Sequence, residues 1–217
     1  MDRIRNILII IVATTITLSC SSYKTTTKNS NEIKTTTSIP LAEKLLFFEY
    51  INDSYYNLEK SISGLTKEQL NFKPDSTRWS IMETLEHIVL TEPMLFSFLT
   101  MMMEEPSHPE LKNQIKTDEE IITGILDRSH KAQAPPMLIP KSKFHDTNTA
   151  LSELRKNRET ILEFANTVSI EDLRNHISDM SGTKVDAYQS MLYIPGHTMR
   201  HTLQILEIKN DPNFPKN

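Results

Sequence analysis

The sequence predicts an all-α protein, a four-helix bundle with a long irregular connection between its second and third helices. Three observations carry that expectation. Apolar residues recur at intervals of three and four along four stretches of roughly twenty residues, the period of a helix with one buried face. The 217 residues include only four glycines, too few for a turn-dense β fold or a glycine-rich phosphate loop. Almost no stretch alternates apolar and polar residues as a half-buried strand does. At 38% hydrophobic residues, the chain has the material for one sizeable core.

The N-terminal segment stands apart from that core. Arg3 and Arg5 precede an apolar run, Ile7 to Leu18, that is too short to span a bilayer comfortably. The run ends in Thr17-Leu18-Ser19-Cys20 and resembles a bacterial lipoprotein signal, with Cys20 as the lipidated residue. Thr17 stands where that pattern prefers Leu, Val or Ile, and an uncleaved anchor helix is the alternative. On this reading 1–19 is a signal peptide, 20–39 a flexible tether and 40–217 the folded domain. The protein is then exported to the cell envelope and meets a membrane through its lipid anchor only. Residues 21–39 are rich in Ser, Thr, Lys and Asn and bury too little apolar surface to order themselves.

Charge and cysteine usage narrow the function classes. Residues 1–39 carry Arg3, Arg5, Lys24, Lys28 and Lys34 against Asp2 and Glu32, so the formal charge of −4 for the whole chain leaves −7 on 40–217. An acidic domain is a poor partner for nucleic acid or for anionic lipid surfaces. Cys20 is the only cysteine. Once it is lipidated the domain has no disulfide and no cysteine nucleophile, so any thiol chemistry requires a thiol from outside.

The helices follow in order. From Pro40 to about Ser63, Leu41, Leu45, Phe48, Ile51, Tyr55, Leu58 and Ile62 form the stripe of helix one. Thr66-Lys67-Glu68-Gln69 matches a capping box and opens a short helix that ends before Phe72-Lys73-Pro74. Ser80 and Glu83 form a second capping box that starts helix two, whose inward stripe is Ile81, Leu85, Ile88, Leu95 and Leu99. His87 falls to one side of that stripe, beside Thr84, Thr91 and Met94, marginal to the core. Pro93 removes the hydrogen bond to the Val89 carbonyl and predicts a kink or a restart. Residues 104–146 are irregular, with a capped helix from Thr117 to about Ser129 and a stiff extended run, Ala134 to Pro140. A connection of that length in a compact domain covers a site, so it is the candidate lid. Helix three spans about Asn148 to Val168 with Leu151, Leu154, Ile161, Leu162 and Ala165 inward. Ser169 caps another short helix, Ser181-Gly182-Thr183 breaks the chain, and Asp186 begins helix four.

Helix four carries the chemistry. His197 and His201, at i and i+4, point the same way and share a stripe with Ala187, Ser190, Ile194, Ile205 and Ile208. Burying two imidazoles among isoleucines is unfavourable unless their ring nitrogens are paired, and one divalent metal satisfies both. Bundles build metal sites from facing helices, and helix two offers His87. Three imidazoles with a fourth position left to water or substrate make a catalytic-type site for zinc, or for nickel or another divalent ion. His108, His130, His145 and His176 lie in loops or at helix ends and read as solvated.

The run from Phe72-Lys73-Pro74 through Trp79-Ser80-Ile81 to Leu85-Glu86-His87-Ile88, the prolines 135 and 140, and His197-Thr198-Met199-Arg200-His201-Thr202-Leu203-Gln204-Ile205 resemble the DinB-like superfamily of four-helix-bundle metalloproteins over most of 41–209. The resemblance implies that His87, His197 and His201 are the metal ligands and offers no fourth protein ligand. It further implies a metal-dependent hydrolase or a thiol S-transferase using a low-molecular-weight thiol such as bacillithiol or mycothiol; a mycothiol-dependent isomerase is also known in the family. Export departs from the mostly cytoplasmic habit of that family and removes the protein from abundant reduced thiols.

The expected function is therefore metal activation of water or an exogenous thiol toward a small-molecule substrate; a homodimer is left open. Glu83 either orients the free ring nitrogen of His87 or serves only its capping box, and Gln204 either supports His201 or makes an ordinary interhelical hydrogen bond. The rival class is a non-catalytic metal-binding surface lipoprotein. On the N-terminal reading, Cys20→Ser should abolish lipid labelling and release the protein from membranes or leave it unprocessed; labelling equal to the parent's would exclude Cys20 as the anchor.

Overall fold

The four expected long helices form, and local sequence explains where each begins. The structure, a computed structural model, describes residues 39–129, 133–180 and 182–216. The expected signal peptide, the expected tether up to residue 38 with Cys20, and His130 lie outside the described residues. Helix α1 covers Ile39–Ile62, α2 Lys67–Asn71, α3 Ile81–Glu104, α4 Asp118–Leu126, α5 Thr147–Thr167, α6 Ile170–Asn175 and α7 Ala187–Lys209. The capping boxes at Thr66, Ser80 and Thr117 are all made, each threonine or serine oxygen accepting from the N3 amide while the N3 side chain returns to the cap. Asp186 and Gln189 make a fourth, at the start of α7. No described helix is long and apolar enough to cross a membrane.

Around the core the long helices follow the order α1, α7, α3, α5: α7 packs against both α1 and α3, α5 lies on α3, and α1 closes on α5. The short α4 rests on α7. Gly196 permits that approach, because a Cβ there would stand 3.1 Å from Ile125 Cγ2 and 3.3 Å from the Tyr50 hydroxyl. In α3 and α5 the expected inward residues are buried, except that Leu162 is only partly covered.

Four sequence expectations change. The buried stripe of α1 runs through Phe47, Ile51, Ser54, Leu58 and Ile62, whereas Leu41 and Leu45 are exposed: the start of α1 meets its neighbours through Glu43, whose carbonyl accepts from Tyr188 and whose carboxylate pairs with Arg174. Helix α3 runs through Pro93 without a restart; Val89 O, the carbonyl that loses its partner, accepts from Asn157 Nδ2 at 3.2 Å. The proline-rich run is not wholly extended, since Pro136–Leu138 closes a 3-10 turn in which the Leu138 amide reaches the Pro135 carbonyl at 2.9 Å. A two-stranded antiparallel hairpin, β1 (Ile177–Met180) and β2 (Thr183–Asp186), leads into α7. These strands are four residues each, too short for alternation to register.

One buried ion pair ties all four long helices. Arg158 of α5 is 4% exposed and Glu92 of α3 is fully buried. Arg158 Nη2 lies 2.5 Å from Glu92 Oε1, its Nη1 donates to the Ile51 carbonyl of α1 at 2.6 Å, and Nη2 also donates to Thr198 Oγ1 of α7 at 3.2 Å. Thr198 in turn donates to Glu92 Oε1 at 2.8 Å. Removing one partner strands a buried charge. Arg158→Met should therefore destabilise the domain by about 3–5 kcal/mol in denaturant unfolding, and adding Glu92→Leu should recover much of that loss. A double variant no more stable than Arg158→Met would count against this account.

Candidate metal centre

His87, His197 and His201 come together, and among the described residues they form a group able to hold a metal ion, with one ligand atom from each lying within 4.8 Å of the others. Helix α3 delivers His87, and α7 delivers the other two one turn apart. Ring centroids are separated by 5.2 Å for His87 and His197, 4.7 Å for His87 and His201, and 4.4 Å for His197 and His201. His87 is not marginal as its helical angle suggested. It is 5% exposed, because the two α7 imidazoles, the ring of Trp79 at 4.8 Å and the lid close over it.

The outer ring nitrogens determine which nitrogens face inward. His87 Nδ1 donates to the Leu138 carbonyl at 2.9 Å, and His201 Nδ1 donates to Gln204 Oε1 at 2.9 Å. Both acceptors are oxygens, so each Nε2 keeps its lone pair. Arg128 Nη1 lies 3.5 Å from the same Gln204 oxygen, consistent with the amide being turned that way. His197 Nε2 stands 3.1 Å from His201 Nε2, while its Nδ1 is buried without a hydrogen-bond partner. Two nitrogens bound at about 2.05 Å to a tetrahedral ion would be roughly 3.3 Å apart, so the pair is spaced for a shared ion. His197 has no acceptor at Nδ1, so in the metal-free chain its proton can sit on Nε2 and be donated to His201 Nε2; a divalent ion would take the place of that shared proton.

Electrostatics point the same way. Burial pushes all three imidazoles toward the neutral form, His201 down to about 3 and His197 well below its ordinary value. The Leu138 carbonyl acts in the opposite sense on His87. Mutual repulsion adds to burial at His197 and His201, and Arg200 opposes protonation of both. Neutral imidazole is the ligating form.

The supporting residues divide. Gln204 does meet His201. Glu83 is engaged elsewhere, its Oε2 accepting from the Ser80 amide at 2.8 Å and its Oε1 pairing with Lys73 at 2.7 Å, and the group that orients His87 is the Leu138 carbonyl. The lid thus reaches the histidines through Leu138, and Arg128, just after α4, reaches Gln204. A backbone carbonyl carries no residue signature, so Leu138 was invisible in the sequence. Of the other histidines, His145 is exposed and His108 faces Glu110 near the surface. His176 is a correction: at 9% exposure it is buried, and its Nδ1 donates to the Asp172 carbonyl at 2.8 Å.

Comparison with known proteins adds a lineage. Residues 50–205, which include all three histidines, match the family model described as DinB superfamily. The chain is 25% identical over 158 residues to the uncharacterized protein YuaE of Bacillus subtilis (strain 168), a match covering 73% of this chain and 94% of that one. No solved structure matches.

The depressed imidazoles make stability depend on pH. Unfolded histidines take up protons near pH 6.5, whereas folded His201 does so only near 3. Between those values the unfolded state binds more protons, so stability is full above about 6.5 and falls as the pH drops toward 3. In urea unfolding of metal-free protein, His201→Gln should lose less stability than the parent between pH 7 and about 5; an equal loss would mean that His201 is not held neutral.

Proposed function

The chain belongs to the DinB superfamily, and on that premise we propose that it is a metal-dependent enzyme in which His87, His197 and His201 hold one divalent ion, zinc in preference to nickel or another metal. The substrate is a small electrophile, and the nucleophile is water or an exogenous thiol. The observation that carries this reading is the donor set: three neutral imidazoles converge, with no fourth protein donor grouped with them among the described residues. Catalytic zinc sites use three protein ligands and leave the fourth position to water or substrate, whereas structural sites close with four.

When bound, the ion supplies Lewis acidity, which favours the deprotonated form of a water or thiol beside it. The chain's own residues prepare for that. Burial keeps the imidazoles neutral, the Leu138 carbonyl and the Gln204 amide oxygen fix the rings of His87 and His201, and Trp79 covers one side of His87. The lid segment that touches His87 exposes Met137 and Ile139 on either side of Leu138, an apolar flank for the organic part of a substrate. The N-terminal sequence supports an exported, lipid-anchored protein. In that compartment water is the more available nucleophile, which favours hydrolysis over thiol transfer.

The test is metal analysis of the purified chain, followed by a panel of esters, amides and other electrophiles with and without an added thiol. The parent should bind one zinc ion per chain and accelerate at least one reaction only when loaded. His87→Ala should lose most of the zinc and the rate while keeping its helical circular dichroism, because the apolar stripes supply most of the folding free energy. A zinc-loaded parent no faster than His87→Ala across the panel would leave a non-catalytic metal-binding lipoprotein in place of the enzyme.

A further inference from the structure

The lid is held against the metal centre by a carboxylate that the site itself does not use. Glu86 precedes His87 on α3 and is only 2% exposed. A carboxylate is buried this deeply only when its oxygens are hydrogen-bonded. Here both are: Oε1 accepts from the Lys141 amide at 2.6 Å and Oε2 from the Lys143 amide at 2.9 Å. Between those residues Ser142 has φ +60°, the only positive φ outside glycine among the described residues. Loops visit that region when a partner requires it, and two successive amides turned onto one anion are such a requirement. Leu138 and Phe144, on either side of this turn, are 5% and 8% exposed and seat the segment in the core.

We propose that Glu86 is a positioning residue of the metal centre: by clamping the backbone at Lys141 and Lys143 it holds Leu138 where its carbonyl fixes the ring of His87. The three groups form one chain of contacts, Glu86 to the turn at Ser142, the turn to Leu138, and Leu138 O to His87 Nδ1 at 2.9 Å. Adjacency on α3 makes the device economical, since the residue that grips the lid and the residue the lid orients share one helical turn. A glutamine in place of Glu86 keeps one accepting oxygen and turns an NH2 toward the second amide, so half of the clamp is lost with the shape unchanged. The proposal rests on the metal-centre reading only where zinc affinity is concerned; the clamp and the ring orientation are properties of the metal-free chain.

Glu86→Gln and Glu86→Ala in the purified full chain test it with three readouts. In the metal-free parent, the Lys141 and Lys143 amides should be protected from hydrogen exchange, and long-range 1H–15N correlations should show the His87 proton on Nδ1. In both variants those amides should exchange faster, the His87 proton should spread over both ring nitrogens, and zinc affinity by chelator competition should fall roughly tenfold to a hundredfold. Faster exchange with an unchanged His87 proton and unchanged zinc affinity would make Glu86 a lid anchor only and overturn the positioning role. Exchange and proton position equal to the parent's in both variants would overturn the clamp itself. If Glu86→Ala fails to fold, the isosteric Glu86→Gln and the parent's own protection decide the matter. If the parent binds no zinc, the enzyme reading fails while exchange and proton position still judge the clamp.

Discussion

The buried pair of Arg158 and Glu92 is the constraint on which the rest of the structure leans. A guanidinium has five N–H donors in a fixed fork, and here they reach a carboxylate on α3, a carbonyl on α1 and a hydroxyl on α7. Apolar stripes alone allow helices to slide or rotate at little cost, whereas an ion pair removed from water tolerates few arrangements. The pair therefore serves register. Glu92 stands five residues beyond His87, and Thr198 is next to His197, so the contact that fixes α3 against α7 lies beside the histidines it aligns.

The metal centre and its surroundings follow an opposite electrostatic logic. At Arg158 the fold buries two charges and lets them cancel; at the histidines it buries two imidazoles and most of a third, and desolvation favours their uncharged form. That neutral form is also the one with a lone pair to give. The site is thereby a cluster of imidazole nitrogens with guanidiniums nearby, Arg128 at Gln204 and Arg200 bonded to the Ile125 carbonyl. A proton is a poor occupant of it, and the three nitrogens lie close enough together that they could hold a divalent ion. The lid completes the arrangement from outside the bundle, since its backbone both orients His87 and is gripped by Glu86.

Most of the fold was legible because its signals are local. Capping boxes at Thr66, Ser80 and Thr117 act over three residues, and the apolar period of α3 and α5 acts over four. The pair His197 and His201 is equally local, one turn apart on α7. The exceptions have physical causes. Leu41 and Leu45 keep a helical period but not the buried one, since α1 starts by turning Glu43 to Tyr188 and Arg174; Pro93 is accommodated because Asn157 takes up the carbonyl it abandons, and each strand of the hairpin is shorter than the pattern needs.

The sequence by itself determined the helices, their starts, and two imidazoles sharing one face of α7, because each of those depends on atoms within a turn of one another. Only the tertiary structure decided that His87 would leave the margin of α3 and join them, that Leu138 would orient it through a carbonyl, and that Glu86, Glu92 and Arg158 would be buried charges with hydrogen-bond partners. Those outcomes depend on groups such as Glu92 and Thr198, 106 positions apart, and on backbone atoms that every residue type possesses alike. Spacing along a chain carries no record of which distant amide or carbonyl a side chain will meet once four helices have packed.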